Sequence, residues 1–360
     1  MTIRTDVPGA LASAATPDQW REIDLDDWTR QVLRRHFDPD TGSPYWLGRR
    51  ETLDFDPLSL DGYADLVRFG PFPRPDLVDG DPLDLVPLST PRPLNGRVWE
   101  SGDGERLYYG PAMLAHRAAY RTWSLTRAGF VPGRTWLHAA PSGPHVTGED
   151  AWEISTGFGS RAFAVDMDPR WVKRLLAAGR YQDAEAYTAH VVDQIADVLG
   201  PQRVEYLNTT PAVFQALIRG HPHLVAGLDG VHLSGAPITA KTLGDFVEAL
   251  DGGICLTSYH NTFGDCVSVP LPTADAALLY VPSYPQVTGA VVAKDDWSVP
   301  VAHGQIGQIR LTVLHEDLFL PNVLQRDQAI RCFLGDDWPG DGFASVFPLQ
   351  PLRATPAGVY

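Results

Sequence analysis

Between residues 135 and 258 short apolar runs alternate with longer segments of helical spacing. That alternation constrains the fold more than any other feature, because it demands parallel strands joined by crossover helices. The strand segments are Thr135–Ala140, Arg161–Val165, Val204–Leu207, Gly230–Leu233 and Ile254–Ser258. Between them, Asp168 caps a helix that opens with Pro169, and a longer helix runs from Tyr181 to Leu199 and stops at Gly200. Thr210-Pro211 introduces Ala212–Arg219, and Thr239 introduces a helix ending at Leu250. In such sheets ligands sit beyond the carboxyl ends of the strands, so the loops after Leu233 and Ser258 are the expected binding region.

The flanks differ in character. Met1 to about Thr16 is small-residue sequence expected to form a loose terminus. Apolar residues from Pro17 to Phe37 follow helical spacing, and Leu60–Arg68 predicts a second helical piece. Phe72–Pro93 is punctuated by proline without periodicity. After Tyr259 the chain turns rich in Val and Pro, with strands expected at Leu278–Val281, Gly289–Ala293 and Gln308–Thr312. The fold class is therefore α/β, largely parallel with crossover helices, plus a β-rich subdomain. No internal repeat is present.

Charge narrows the function. With 29 basic against 44 acidic residues the net charge is −15 and the pI about 5.0, which repels a phosphate backbone and excludes nucleic acid as a partner. Only Lys173, Lys241 and Lys294 are lysines. Cys255, Cys266 and Cys332 have no paired spacing, and a reduced cytoplasm is the expected location. Asp6, Asp18, Glu22 and Asp24 interrupt the first thirty residues, so no secretion signal is expected there. Asp275 and four prolines between Cys266 and Ala293 rule out a membrane helix in the least charged stretch.

Isolated motifs carry little. Gly157-Phe158-Gly159-Ser160-Arg161-Ala162 matches G-x-G-x-x-A but precedes a strand instead of following one. Ser142 and Ser234 lack the G-x-S-x-G frame. His221, His223, His303 and His315 lack metal-ligand spacing, and no metal site is expected. Glu100-Ser101-Gly102-Asp103-Gly104-Glu105-Arg106 has the glycines of a phosphate loop, but Asp103 and Glu105 oppose an anion; alone it reads as a solvated hairpin turn.

Several segments in order nevertheless resemble the adenylate-forming superfamily of acyl- and aryl-CoA ligases, peptide-synthetase adenylation domains and luciferases. The nearest branch is phenylacetate-CoA-ligase-like, in its shortened form from phenazine antibiotic biosynthesis. Asp61–Leu66 through Asp76-Leu77, Trp99-Glu100-Ser101-Gly102, His138–Gly148, Val165–Leu175, Thr209-Thr210-Pro211, Ser234-Gly235-Ala236-Pro237, Tyr259-His260-Asn261-Thr262, Gly304–Ile309 and Leu318–Arg331 carry it. The resemblance implies an N-terminal helical and loop region over 1–93, a nucleotide-binding-like core over 94–262 and the β-rich subdomain with a truncated hinge over 263–360.

It also implies a site. Ser101, Gly102 and Gly104 would face phosphate; Ser234, Gly235, Ala236 and Pro237 would flank adenine with Tyr259; Asn261 and Thr262 would meet the α-phosphate; and Asp327 would hold the ribose. His145, Trp136 and Phe163 would line the acid pocket. The implied reaction is ATP- and Mg²⁺-dependent activation of an aromatic, phenazine-like carboxylic acid as an acyl-adenylate, with a biosynthetic partner enzyme possible. No catalytic residue is assigned.

Departures accompany the likeness. Phe263 replaces the acid that helps hold Mg²⁺ in the family, and from the short stretch after Asp327 the mobile C-terminal domain and its lysine are expected to be missing. Since charge-neutralising groups do most of the work at a phosphoryl centre, the alternative reading is a catalytically degenerate relative that binds an aryl acid or scaffolds a partner. A third is acyl transfer through Cys266 or Cys332. Asp103→Thr with Glu105→Gly is expected to strengthen nucleotide binding.

Overall fold

The computed structural model describes residues 16–268 and 278–349. The expected loose terminus, Thr16 excepted, and the middle of the Cys266–Ala293 stretch lie outside them. The strands are β1 (Arg97–Glu100), β2 (Arg106–Tyr109), β3 (Trp136–Pro141), β4 (Ala162–Met167), β5 (Tyr206–Thr209), β6 (Gly230–Leu233), β7 (Ile254–Asn261), β8 (Gly264–Ser268), β9 (Leu279–Pro282), β10 (Val287–Val292), β11 (Ile306–His315), β12 (Leu318–Cys332) and β13 (Gly342–Pro348). β1 and β2 form a separate hairpin; the other eleven make one sheet in the order β10-β11-β12-β13-β9-β8-β7-β6-β5-β3-β4.

The fold is α/β, and the expected parallel strands pair in parallel, β4-β3-β5-β6-β7. β7 joins the two halves of the sheet. Its first four residues pair in parallel with β6, and Ser258–Asn261 then pair antiparallel with β8. The β-rich part is thus continuous with the parallel part.

Crossover helices form where caps and spacing demand them: Pro169–Ala177 behind Asp168, Tyr181–Leu199, Pro211–Gly220 behind Thr210 and Ala240–Ala249 behind Thr239. Period-two alternation sends Leu137, Ala139, Leu207, Val231 and Leu233 to one face, against Val191, Ile195, Phe214 and Phe246. The opposite face receives Trp136, Tyr206 and Leu256, together with polar side chains.

Two sequence expectations change. The Pro17–Phe37 helix divides into Pro17–Trp20 and Leu25–His36, and Leu60–Arg68 forms a 3₁₀ segment, Tyr63–Phe69, between Gly62 and Gly70. An 18-residue helix, Pro111–Ala128, was not foreseen. Its buried stripe is Met113, His116, Arg117, Tyr120, Arg121, Ser124 and Leu125, which has helical spacing but is largely polar. The N-terminal residues Trp28, Val32, Leu33, Phe37 and Trp46 share a core with β10–β13, so that region packs on the β-rich part.

Candidate active site

A cleft of about 360 Å³ opens at the carboxyl ends of the parallel strands, lined by Pro141 at the end of β3, Thr210 after β5, Ser234 and Gly235 after β6, and His260–Thr262 in and after β7. The β1–β2 loop, the start of helix Pro169–Ala177 and Gln325–Asp327 of β12 complete it. The residues named above from the 230s, the 260s and position 327 therefore meet, although they are far apart in the chain.

Turn chemistry shapes each wall. Gly235 has φ +91°, a backbone that favours glycine, and it lets the chain leave β6 past Thr210, the cap of helix Pro211–Gly220. The Asn261 Oδ1 accepts the Phe263 N–H at 2.8 Å, which closes the β7–β8 turn. The Asn261 amide donates to Gln325 Oε1 at 3.0 Å, so the turn is tied to β12. The Tyr109 hydroxyl donates to the Thr262 carbonyl at 2.7 Å.

Asp327 is half-buried and accepts the Tyr259 hydroxyl at 2.9 Å. Burial pushes its carboxyl above the usual range, while the Tyr259 hydrogen bond and the Arg74 charge pull it back. Burial first, and then the neighbouring carboxylate, hold the Tyr259 phenol protonated.

The glycine loop is a hairpin turn, as its composition alone suggests, but it is not simply solvated. The Ser101 N–H donates to the Glu105 carbonyl at 2.8 Å, the Gly104 N–H to the Ser101 carbonyl at 3.1 Å, and Asp103 and Glu105 N–H to Ser101 Oγ. The loop thus spends these donors on itself. Glu105 is buried (2% exposed); it accepts from Ser101 Oγ at 2.8 Å and pairs with Arg74. Arg74 also donates to the Leu324 carbonyl at 3.1 Å and lies over the Phe263 ring. Asp103 pairs with Arg326 at 2.8 Å. Both loop acids that oppose an anion are therefore compensated by arginines.

Two histidines face the cleft. His145 donates from Nδ1 to the Glu100 carbonyl at 3.1 Å, leaving Nε2 as the bare acceptor without a partner, and burial lowers its pKa. His260 is the opposite tautomer. Arg121 has only donors, so His260 Nδ1 accepts at 3.4 Å and the proton sits on Nε2, which has no partner. Burial depresses this ring to about 3, so it is neutral near pH 7. Ser234 Oγ, also buried at the cleft, lacks a partner as well.

Behind His260 lies a buried ionic cluster. Arg117 pairs with Asp265 and with Asp150 at 3.1 Å; Arg121 pairs with Asp150, with Asp265 at 3.0 Å and with Glu153 at 3.5 Å. A registered ladder crosses the sheet beside it: His138 to Asn208 at 2.9 Å, Asn208 to His232 at 2.9 Å, and His232 to Ser258 at 2.7 Å.

Of the residues named from sequence, Ser101, Gly102, Ser234, Gly235, Asn261, Thr262, Asp327 and His145 line the cleft. Gly104, Ala236, Pro237 and Tyr259 do not line it; Gly104, Ala236 and Tyr259 are next in the chain to residues that do, and Tyr259 reaches the cleft through Asp327. Trp136 and Phe163 do not line it. Both stand at the amino ends of their strands, opposite the cleft; Trp136 stacks on Phe130 at 5.2 Å and Phe163 packs on the other face of the sheet. Neither Cys266 nor Cys332 lines it either, and burial raises both thiols, which opposes the thiolate that acyl transfer needs. Sequence reading missed Arg74, Arg170, Lys173, His260 and Arg326; only the lone lysine in Val165–Leu175 was a usable signal.

Among the described residues no group of three or more acids, histidines or cysteines is placed to hold a metal ion, so the cleft has no built site for a protein-held Mg²⁺. Phe263 is buried under Arg74, Asp103 and Glu105 are engaged by guanidinium groups, and Asp327 accepts from Tyr259.

No protein-family model and no curated protein matches the chain. Its fold matches that of 2-hydroxyisobutyryl-CoA ligase. In the postadenylation state with R3-HIB-AMP, that enzyme aligns with TM-score 0.67 at 13% identity, over 97% of this chain and 73% of its own. An open conformation in complex with 2-HIB-AMP and CoA aligns at 0.66 and 14%, over 89% and 68%. The chain shares the fold of the corresponding part of that ligase and spans about two thirds to three quarters of these chains. No helix among the described residues is long and apolar enough to cross a membrane.

Proposed function

We propose that the chain activates a carboxylic acid with ATP. A carboxylate oxygen forms a bond to the α-phosphorus, the α–β bridging bond breaks, and its electrons leave on pyrophosphate. The observation that carries this reading is the convergence of Ser234-Gly235, Asn261-Thr262, Asp327 and Ser101-Gly102 on one cleft. Asp327 would accept the ribose hydroxyls, held in place by Tyr259. Ser234-Gly235 would border the adenine, and Thr262 would donate to the α-phosphate. The Nε2–H of His260 and the hydroxyl of Ser234 are buried donors whose missing partners each cost about 1–3 kcal/mol, and an acyl or phosphate oxygen would supply them.

The resemblance points to an aromatic, phenazine-like acid, activated in the cytoplasm for conjugation in secondary metabolism. The rings available to face it are His145, His260 and Phe263. Arg326 and Arg74 at the loop offset its acids without a resident metal.

The self-satisfied loop favours one second reading: a cleft that binds the acid or an intermediate without turnover. Acid-dependent exchange of labelled pyrophosphate into ATP separates the two. Exchange driven by an aryl acid supports activation. Acid binding that ignores ATP, with no exchange, refutes activation and supports the binding role.

A further inference from the structure

The hairpin loop contains no lysine, yet one reaches it from elsewhere. Helix Pro169–Ala177 brings Arg170 and Lys173 to the cleft, three residues apart and so on one face, while Val172 and Leu175 are buried beneath it. The Lys173 ammonium lies over Gly102: a Cβ on that glycine would stand 2.6 Å from Nζ. The bare backbone at Gly102 is what lets the charge come down onto the loop.

We propose that Lys173, with Arg170 beside it, binds the polyphosphate end of the nucleotide against Gly102, so that a cation from a crossover helix meets the phosphates at a loop that has no lysine of its own. The assignment rests on the adenylation reading, because it names where the leaving pyrophosphate lies. An ammonium is a compact point charge suited to phosphate oxygens. The helix needs no apolar partner at this position, since Lys173 and Arg170 are exposed.

Calorimetric titration of the full chain with AMP, ATP and inorganic pyrophosphate tests this. Lys173→Met should weaken pyrophosphate and ATP at least tenfold and leave AMP within twofold. Lys173→Arg, which keeps the charge, should retain pyrophosphate within about threefold of the parent. An unchanged melting temperature in both variants checks that the fold survives. Equal losses for AMP and ATP, or no loss for either, would overturn the proposal. A parent chain that binds pyrophosphate but not AMP overturns the nucleotide reading and leaves the anion site standing. A parent chain that binds AMP but not pyrophosphate does the reverse.

Discussion

Replacing Arg117 by methionine should cost about 3–5 kcal/mol of stability, the range for removing one partner of a buried ion pair. The magnitude follows from where the guanidinium sits. Arg117 is 4% exposed and pairs with Asp150 and Asp265, which are 0% and 1% exposed. An exposed pair would be worth at most about 1 kcal/mol. Methionine keeps most of the apolar stem, so lost packing contributes little. Asp150 and Asp265 each lose one of two guanidinium partners and each retain Arg121. Burial already pushes the Asp265 carboxyl up, and losing a cation pushes it further. A carboxyl raised in the folded state takes up a proton on folding, so stability falls as pH rises from its unfolded to its folded pKa and returns on acidification. The deficit of the variant should therefore shrink toward acid pH. Urea unfolding at two pH values, with an unchanged m-value, reads this directly. Adding Asp265→Asn should recover part of the loss, because the uncompensated charge goes with it. A deficit below about 1 kcal/mol, or one that does not shrink on acidification, would refute the reading of this cluster as a charge-compensated core.

Further outcomes follow from the site. Tyr259→Phe removes the donor to Asp327, so the carboxyl should rise further and AMP affinity should fall about tenfold, as for a charge-assisted hydrogen bond; the loss should deepen toward acid pH, and titration calorimetry at pH 5 and 8 checks it. Glu105→Gly should not improve nucleotide binding, contrary to the expectation from sequence. It strips the Arg74 guanidinium of its buried partner and should lower stability by about 3 kcal/mol in chemical denaturation, whereas Asp103→Thr at the exposed rim should change stability by less than about 1 kcal/mol. Burial raises Glu153 to about 7 against the pull of Arg121 and Arg117. Folding therefore takes up a proton there, and stability should fall as pH rises from the usual carboxylate range toward 7; Glu153→Gln should flatten that slope in urea titrations across pH 5–8.

The parallel half of the fold was written in local signals. Asp168, Thr210 and Thr239 cap the helices their positions announce, and Tyr181–Leu199 has the bounds its spacing predicts. Each of those signals acts within a turn or a strand length, so neighbouring residues suffice to specify it. The cleft lies at the strand ends where that alternation puts the binding region, whereas Ser234, Thr262 and Asp327 were named from the family resemblance alone. Helix Pro111–Ala128 escaped because its core-facing stripe holds His116, Arg117, Arg121 and Ser124, which no hydrophobic periodicity reports.

Tertiary structure decided the rest. Trp136 has the look of a pocket wall, but its place at the amino end of β3 sends it to the core opposite the cleft. Glu105 looks hostile to phosphate until Arg74, 31 positions earlier, is folded against it. Arg117 finds Asp265 across 148 residues, and Lys173 finds Gly102 only because helix and hairpin meet at one rim. Electrostatic pairing depends on distance in space and on the water excluded around it, and neither is encoded in the spacing of residues along the chain.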